Sequence, residues 1–109
     1  MTREFIMTPV FDRLWDDCDL TDDDLREFQN ILLENPFAGD IIKGTGGARK
    51  IRFAVQNKGK SGGMRVIYVD FTHLQQTYLI LCYSKSEQDD LTEEQKRQVK
   101  ALVKTLMEV

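Results

Sequence analysis

One histidine, His73, and two cysteines, Cys18 and Cys82, are all that this 109-residue sequence has of the side chains that most often bind transition metals or relay protons. With a single imidazole, the paired-histidine route to phosphodiester cleavage is excluded, and no cluster of His, Cys and carboxylate offers a metal site. The cysteines share no metal or redox spacing. Cys82 falls in an apolar run where a thiol behaves as a small hydrophobe, so both read as reduced thiols of a cytoplasmic protein. No window approaches the apolar length of a membrane span, and the apolar stretch near the N-terminus is too short for a signal peptide. Repeats and low-complexity segments are missing too. A composition of 41% apolar and 30% charged residues is that of a globular chain, and the length suits one domain over residues 1–109 with a modest core.

The most informative absence is local. From Ile41 to Val69 there is no Asp or Glu, while seven cations stand there: Lys43, Arg49, Lys50, Arg52, Lys58, Lys60 and Arg65. Residues 1 to 40 have the opposite character, with eleven carboxylates against Arg3, Arg13 and Arg26, so the net charge of −3 averages two opposed fields. A cationic stretch without interspersed acids points to a polyanion, although net charge alone would argue against one. A carboxylate-held metal nuclease is disfavoured by the same absence.

Glu4 to Met7 reads as a short strand. Thr8 followed by Pro9 caps a short helix through Phe11, Leu14 and Trp15. Thr21 opens a second helix with Asp22, Asp23 and Asp24 in its first turn, where the positive end of the helix dipole favours them. Leu25, Phe28, Ile31 and Leu32 form its apolar stripe, and Asn35-Pro36 ends it. After the glycine turn at Gly44–Gly47 the period becomes two. Ile51, Phe53 and Val55 lie on one face of a strand from Arg49 to Gln56, with Lys50, Arg52 and Ala54 on the other. A second glycine-rich turn, Lys58 to Gly63, leads to strands at Met64–Asp70 and Thr77–Tyr83, with His73 in the turn between them. Thr92-Glu93-Glu94-Gln95 is a capping-box pattern opening a helix with Val99, Leu102, Val103 and Leu106 on one side. The order βααβββα predicts an α+β fold: a small antiparallel sheet with the helices packed on one face and the other face open for binding.

Ala54 to Ser61 loosely matches a phosphate-loop pattern, but a strand rather than a helix follows it, so the helix N-terminus such a loop needs is missing. The cations offer more. Lys50 and Arg52 share a strand face roughly 6 to 7 Å apart, a spacing suited to neighbouring phosphate oxygens. Arg65 on the next strand and Lys85 after the last strand can converge on them, and such a cluster would stabilise charge accumulating as a ribose 2′-hydroxyl attacks phosphorus. The plain alternative is that these cations only solvate exposed faces. Tyr68 and Tyr83 are either base-stacking or core aromatics, with Tyr68 favoured for the core.

The segments Gly44-Thr-Gly-Gly-Ala-Arg-Lys-Ile-Arg-Phe53, Gly62-Gly-Met-Arg-Val-Ile-Tyr68 and Tyr83-Ser-Lys-Ser-Glu87, in this order and spacing, resemble the RelE/HigB superfamily of bacterial type II toxins, closest to its HigB branch. The resemblance covers nearly the whole chain. It implies a metal-independent endoribonuclease, without cofactor, that cleaves mRNA on the ribosome and is neutralised by a cognate antitoxin. DNA would be contacted only through the antitoxin complex. Residue by residue, it implies catalytic roles for Lys50, Arg52, Arg65 and Lys85. Lys43, Arg49, Lys58, Lys60 and Tyr83 would bind RNA. Ser86 stands where an arginine is common, and Leu91 stands near where a functional tyrosine is expected. The proton-transfer group is left open among Tyr83, a lysine and ribosomal RNA. The rival expectation is a non-catalytic RNA-binding or regulatory member of the same superfamily.

Overall fold

The computed structural model describes residues 3–55 and 63–108. Strand β1 (Glu4–Met7) leads into helix α1 (Pro9–Asp17) and helix α2 (Asp22–Glu34). Strands β2 (Asp40–Ile41), β3 (Arg49–Phe53), β4 (Met64–Phe71) and β5 (Gln76–Ser84) follow, and helix α3 (Glu93–Met107) closes the chain. The helix starts are the ones the sequence marks. The amide of Phe11 donates to Thr8 Oγ1 (3.0 Å), and reciprocal capping boxes join Thr21 to Asp24 and Thr92 to Gln95.

The five strands form one sheet in the order β1-β5-β4-β3-β2. Pairing is antiparallel except at one edge, where β1 runs parallel to β5. The hairpin from β2 to β3 turns through Gly44, Gly46 and Gly47, all at positive φ, around the buried Thr45, whose hydroxyl donates to Ile42 O and accepts from the Ala48 amide.

The class and the order of helices and longer strands agree with the sequence-based expectation, with one difference in the sheet and another in the helices. β1 makes the sheet mixed rather than antiparallel, and β2 is an added short strand. The second difference concerns the helices, which do not share one face. Phe11, Trp15, Phe28 and Leu32 from α1 and α2 pack with Phe53, Met64, Val66 and Tyr68, whereas Val99 and Val103 of α3 join a separate cluster with Ile67, Val69 and Leu81. β4 explains this. From Met64 to Val69 it is buried on both faces and apolar apart from Arg65, and a central strand of that kind must be covered twice. The strand expected to reach Gln56 ends at Phe53, and the second glycine turn and most of the phosphate-loop-like pattern lie outside the described residues. Ile31, assigned to the α2 stripe, lies at its edge, 36% exposed.

β5 carries one residue more than its partner: Ile67 pairs with Leu81 and Tyr68 with Leu79, leaving Ile80 as a bulge. On the helical-pair side, four rings form a continuous aromatic cluster, Trp15 lying 5.3 Å from Phe11 and 6.2 Å from Phe53, with Phe28 5.4 Å from Phe53. Neither cysteine is in a disulfide, as expected. Burial pushes the Cys82 thiol up to about 12, which keeps it protonated and inert.

Tyr68 ties the segment after α2 to the sheet. Its hydroxyl accepts from the Gly39 amide (2.9 Å) and donates to Pro36 O (2.8 Å), all within the interior. A Cβ on Gly39 would come within 2.9 Å of both Lys50 O and the Tyr68 ring, so that position admits no side chain. Replacing Tyr68 by Phe strands a buried donor and a buried acceptor while leaving the ring in place. We expect Tyr68→Phe to stay folded but to lose about 1–3 kcal/mol of unfolding free energy in urea titrations. A loss well below that range would mean that water replaces the hydroxyl.

Candidate functional site

α3 covers only part of its face of the sheet. Next to that cover, the register places Arg52 directly opposite Arg65 and Arg65 directly opposite Tyr83, so these residues form a row across β3, β4 and β5. Lys50 is two residues from Arg52 on β3 and therefore on the same face. Two cations facing each other across a ladder destabilise a sheet unless an anion sits between or above them. The pairing thus concentrates positive charge on this part of the face.

The members differ in exposure. Arg52 is exposed, Lys50 is half-buried, and Arg65 is buried at 8% exposure, with a long contact from Nη1 to Met64 O (3.4 Å). A desolvated guanidinium interacts with a nearby anion more strongly than one in water. Gly63 sets the approach to Arg65: its φ is +73°, and a Cβ there would lie 2.7 Å from Phe53 O. Glycine is required, and the start of β4 is drawn against the end of β3. The carbonyl of Gly63 accepts from the Lys85 amide (3.2 Å), which brings the segment after β5 to the same end of the sheet. Lys85 is exposed there.

A carboxylate that the sequence reading did not select joins this group. Lys50 Nζ donates to Asp90 Oδ1, from the connection between β5 and α3. The Asp90 carboxyl is held below the ordinary carboxylate range, first by its hydrogen bond and charge interaction with Lys50 and then by Lys96 and Arg65. Lys96 is thereby a second unforeseen neighbour. The sequence signal for Asp90 was weak, since an acid-rich link between a strand and a capped helix reads equally well as solvated loop.

Tyr83 is a core residue rather than an open stacking platform, 5% exposed and packed with Ile67, Leu81 and Val99. Its hydroxyl points toward the 89–90 segment, 3.5 Å from Asp89 O. Burial pushes the phenol up to about 12; Asp90 and Asp89 add to the rise and Arg65 opposes it. A phenol so protonated at neutral pH can donate a hydrogen bond but cannot accept a proton as a base.

The remaining candidates are dispersed. Lys43 is exposed in the β2–β3 hairpin. Arg49, being odd in the strand where Lys50 and Arg52 are even, lies on the opposite face: it donates to Gly39 O (2.8 Å) and stacks over the Phe37 ring at 5.1 Å. That contact braces the segment after α2, and the structure does not bring Arg49 to the row. Lys58 and Lys60 lie outside the described residues. Tyr68 is in the core as expected, and His73 sits exposed in a short turn (Thr72–Leu74). Among the described residues there is no group of His, Cys, Asp and Glu able to hold a metal ion, and no helix long and apolar enough to cross a membrane.

Comparison with known proteins bears on this arrangement. A family model described as the RelE toxin of the RelE/RelB toxin-antitoxin system matches residues 5–109. Among solved structures, the chain is similar to a free-state structure of the E. coli toxin RelE in which two arginines are replaced by alanine. The TM-score is 0.54 at 16% sequence identity, over 82% of this chain and 90% of that one. At that identity the likeness concerns the fold.

The phenol of Tyr83 supplies a pH test. Its protonated form is favoured in the folded state, so its contribution to stability is complete below the ordinary phenol value of 10.0 and is lost as pH rises toward about 12. Unfolding free energy should fall across that interval, and Tyr83→Phe should fall less steeply. Identical slopes for the two proteins would show that the phenol titrates normally.

Proposed function

The chain belongs to the RelE toxin family, and from that premise we propose that it is a ribosome-dependent, metal-independent endoribonuclease that stops translation by cutting mRNA. A cognate antitoxin neutralises it, and a HigB-like character within the family belongs to the same proposal. The observation that supports the reading is the row Arg52, Arg65 and Tyr83 with Lys50 beside it on three adjacent strands, a concentration of positive charge suited to a phosphate.

In this mechanism the ribose 2′-oxygen attacks the adjacent phosphorus in line, its proton is taken up by a base, and the 5′-oxygen leaves with a proton delivered to it. Phosphoryl oxygens gain negative charge on the way. Arg65, partly desolvated and fixed in a central strand, is the side chain best placed to meet that charge, while Lys50 and Arg52 orient the phosphate from β3. Lys85 adds positive charge from the rim. Tyr83 serves as a hydrogen-bond donor, since its raised value removes it as the base. The base comes from another group, and a requirement for the ribosome follows naturally if RNA geometry or a ribosomal group completes the site. Lys43 contacts backbone outside the reacting bond, together with Lys58 and Lys60.

The test is primer extension on translating ribosomes. Arg65→Ala should lower cleavage by about 100-fold or more, the scale of losing one positioned donor to a developing oxyanion. Lys43→Ala should change it only a few-fold. Because Arg65 is buried, Arg65→Lys and circular dichroism of both variants separate lost chemistry from lost folding; the lysine variant should remain folded and bind ribosomes yet cut poorly. Undiminished protein synthesis in cells expressing the wild-type chain without an antitoxin would reject the toxin mechanism. Equal losses from Arg65→Ala and Lys43→Ala would reject a positioned site in favour of diffuse charge.

A further inference from the structure

The ammonium that would meet an RNA phosphate already holds an anion. Lys50 bonds Asp90, a residue 40 positions away in sequence, and the Asp90 side chain is 70% exposed. The connection carrying it is held by other atoms: Gln88 Nε2 donates to the backbone oxygen of Asp90 (2.8 Å) and to Gln95 Oε1 (3.0 Å), and Gln95 belongs to the capping box that starts α3. The carboxylate can therefore rotate away without the connection unfolding. Lys96 and Arg65 also act on it, so it lies within the positive field of the whole cluster rather than against one lysine. A carboxylate oxygen and a phosphodiester oxygen offer an ammonium the same kind of acceptor. Both cannot occupy Lys50 closely, because the two anions would repel each other at short range.

We propose that Asp90 is a built-in competitor for phosphate at Lys50, occupying its position in the RNA-free protein and giving way when an RNA backbone arrives. Resting on the reading of Lys50 as a phosphate contact, this makes Asp90 a specificity-determining residue. Loosely presented RNA must displace the carboxylate with little help, whereas RNA held in register by a large partner brings its phosphate to Lys50 at high local concentration. Exposed ion pairs are weak, so the competitor sets a threshold rather than a block.

The probe is a short single-stranded RNA methylated at every 2′-oxygen, which cannot be cleaved, followed by fluorescence anisotropy with the full chain. Wild type, Asp90→Asn, Lys50→Met and the double variant are compared, with Asp90→Ser as a second removal of the carboxylate and circular dichroism to verify folding. Asp90→Asn and Asp90→Ser should each bind about five-fold more tightly at low salt, the upper scale for releasing an exposed pair, with the gain shrinking as salt is raised. In the Lys50→Met background the gain should vanish. Equal or weaker binding by the Asp90 variants would overturn the proposal. So would a gain of the same size without Lys50, which would reflect net charge alone, or binding by none of the proteins. Cleavage on ribosomes is read separately. A Lys50-dependent gain without ribosomal cleavage keeps the competitor and removes the translational mechanism; ribosomal cleavage by the wild type without the gain does the reverse.

Discussion

Between Met64 and Val69 every residue of β4 is buried although alternate side chains point to opposite faces, so the sheet must be covered on both sides, and the described residues form three α-helices to do it. Two of them, α1 and α2, are used for the face of Met64, Val66 and Tyr68, and one, α3, is left for the face of Ile67 and Val69. One helix cannot span five strands. Lys50, Arg52 and Arg65 lie on the same face beside that cover, with exposure falling from Arg52 through Lys50 to the buried Arg65. Arg65 is a guanidinium at the start of an inner strand that is otherwise apolar as far as Val69.

Charge separation along the chain becomes separation in space only in part. The acidic residues of α1 and α2 occupy the solvent side of the helices opposite the site, where Asp22, Asp23 and Asp24 serve the helix start. The acid that matters at the cationic face arrives from elsewhere, through the link between β5 and α3. A second carboxylate is used structurally: Asp70 takes Arg3 in a buried ion pair (2.5 Å) and accepts from the hydroxyls of Thr72 and Thr77, fastening the segment before β1 to the far end of β4. The two ends of β4 thus carry ionic chemistry of different kinds, a buried ion pair between Arg3 and Asp70 at one and the cationic group around Arg65 at the other.

Much of this was legible in the sequence because it depends on local rules. Thr8-Pro9, Thr21 and Thr92 announce helix starts through capping chemistry that involves only neighbours, and the alternation in Arg49–Phe53 separates Lys50 and Arg52 from Ile51 and Phe53 without knowledge of the fold. The same alternation, applied strictly, also places Arg49 away from the row, which a count of cations conceals. What was not legible depends on pairing between distant segments. That Arg52, Arg65 and Tyr83 stand in line is a matter of strand register, and the Lys50–Asp90 contact arises only once β3 and the link before α3 are brought together. The second cover over β4 was signalled by the unbroken apolar run Val66–Val69, whose reading as a strand buried on both faces requires knowing that it is central.

The extra residue in β5 has a consequence for how this protein can vary. Leu79 belongs to the cluster beneath α1 and α2, Leu81 and Tyr83 to the one beneath α3, and the odd numbering of all three would place them on one face were it not for Ile80. The bulge changes the phase of the strand, so that one stretch of chain satisfies the first cover before it and delivers Tyr83 beside Arg65 after it. Side chains along β5 can be exchanged for others of similar volume while the arrangement survives. Its length cannot be altered by one: a single-residue insertion or deletion between Leu79 and Tyr83 exchanges inside for outside on one half of the strand, leaving either the core or the cationic row out of step. Length is therefore the stricter constraint on this stretch: substitutions leave both clusters in place, whereas a change in the count of residues between them does not.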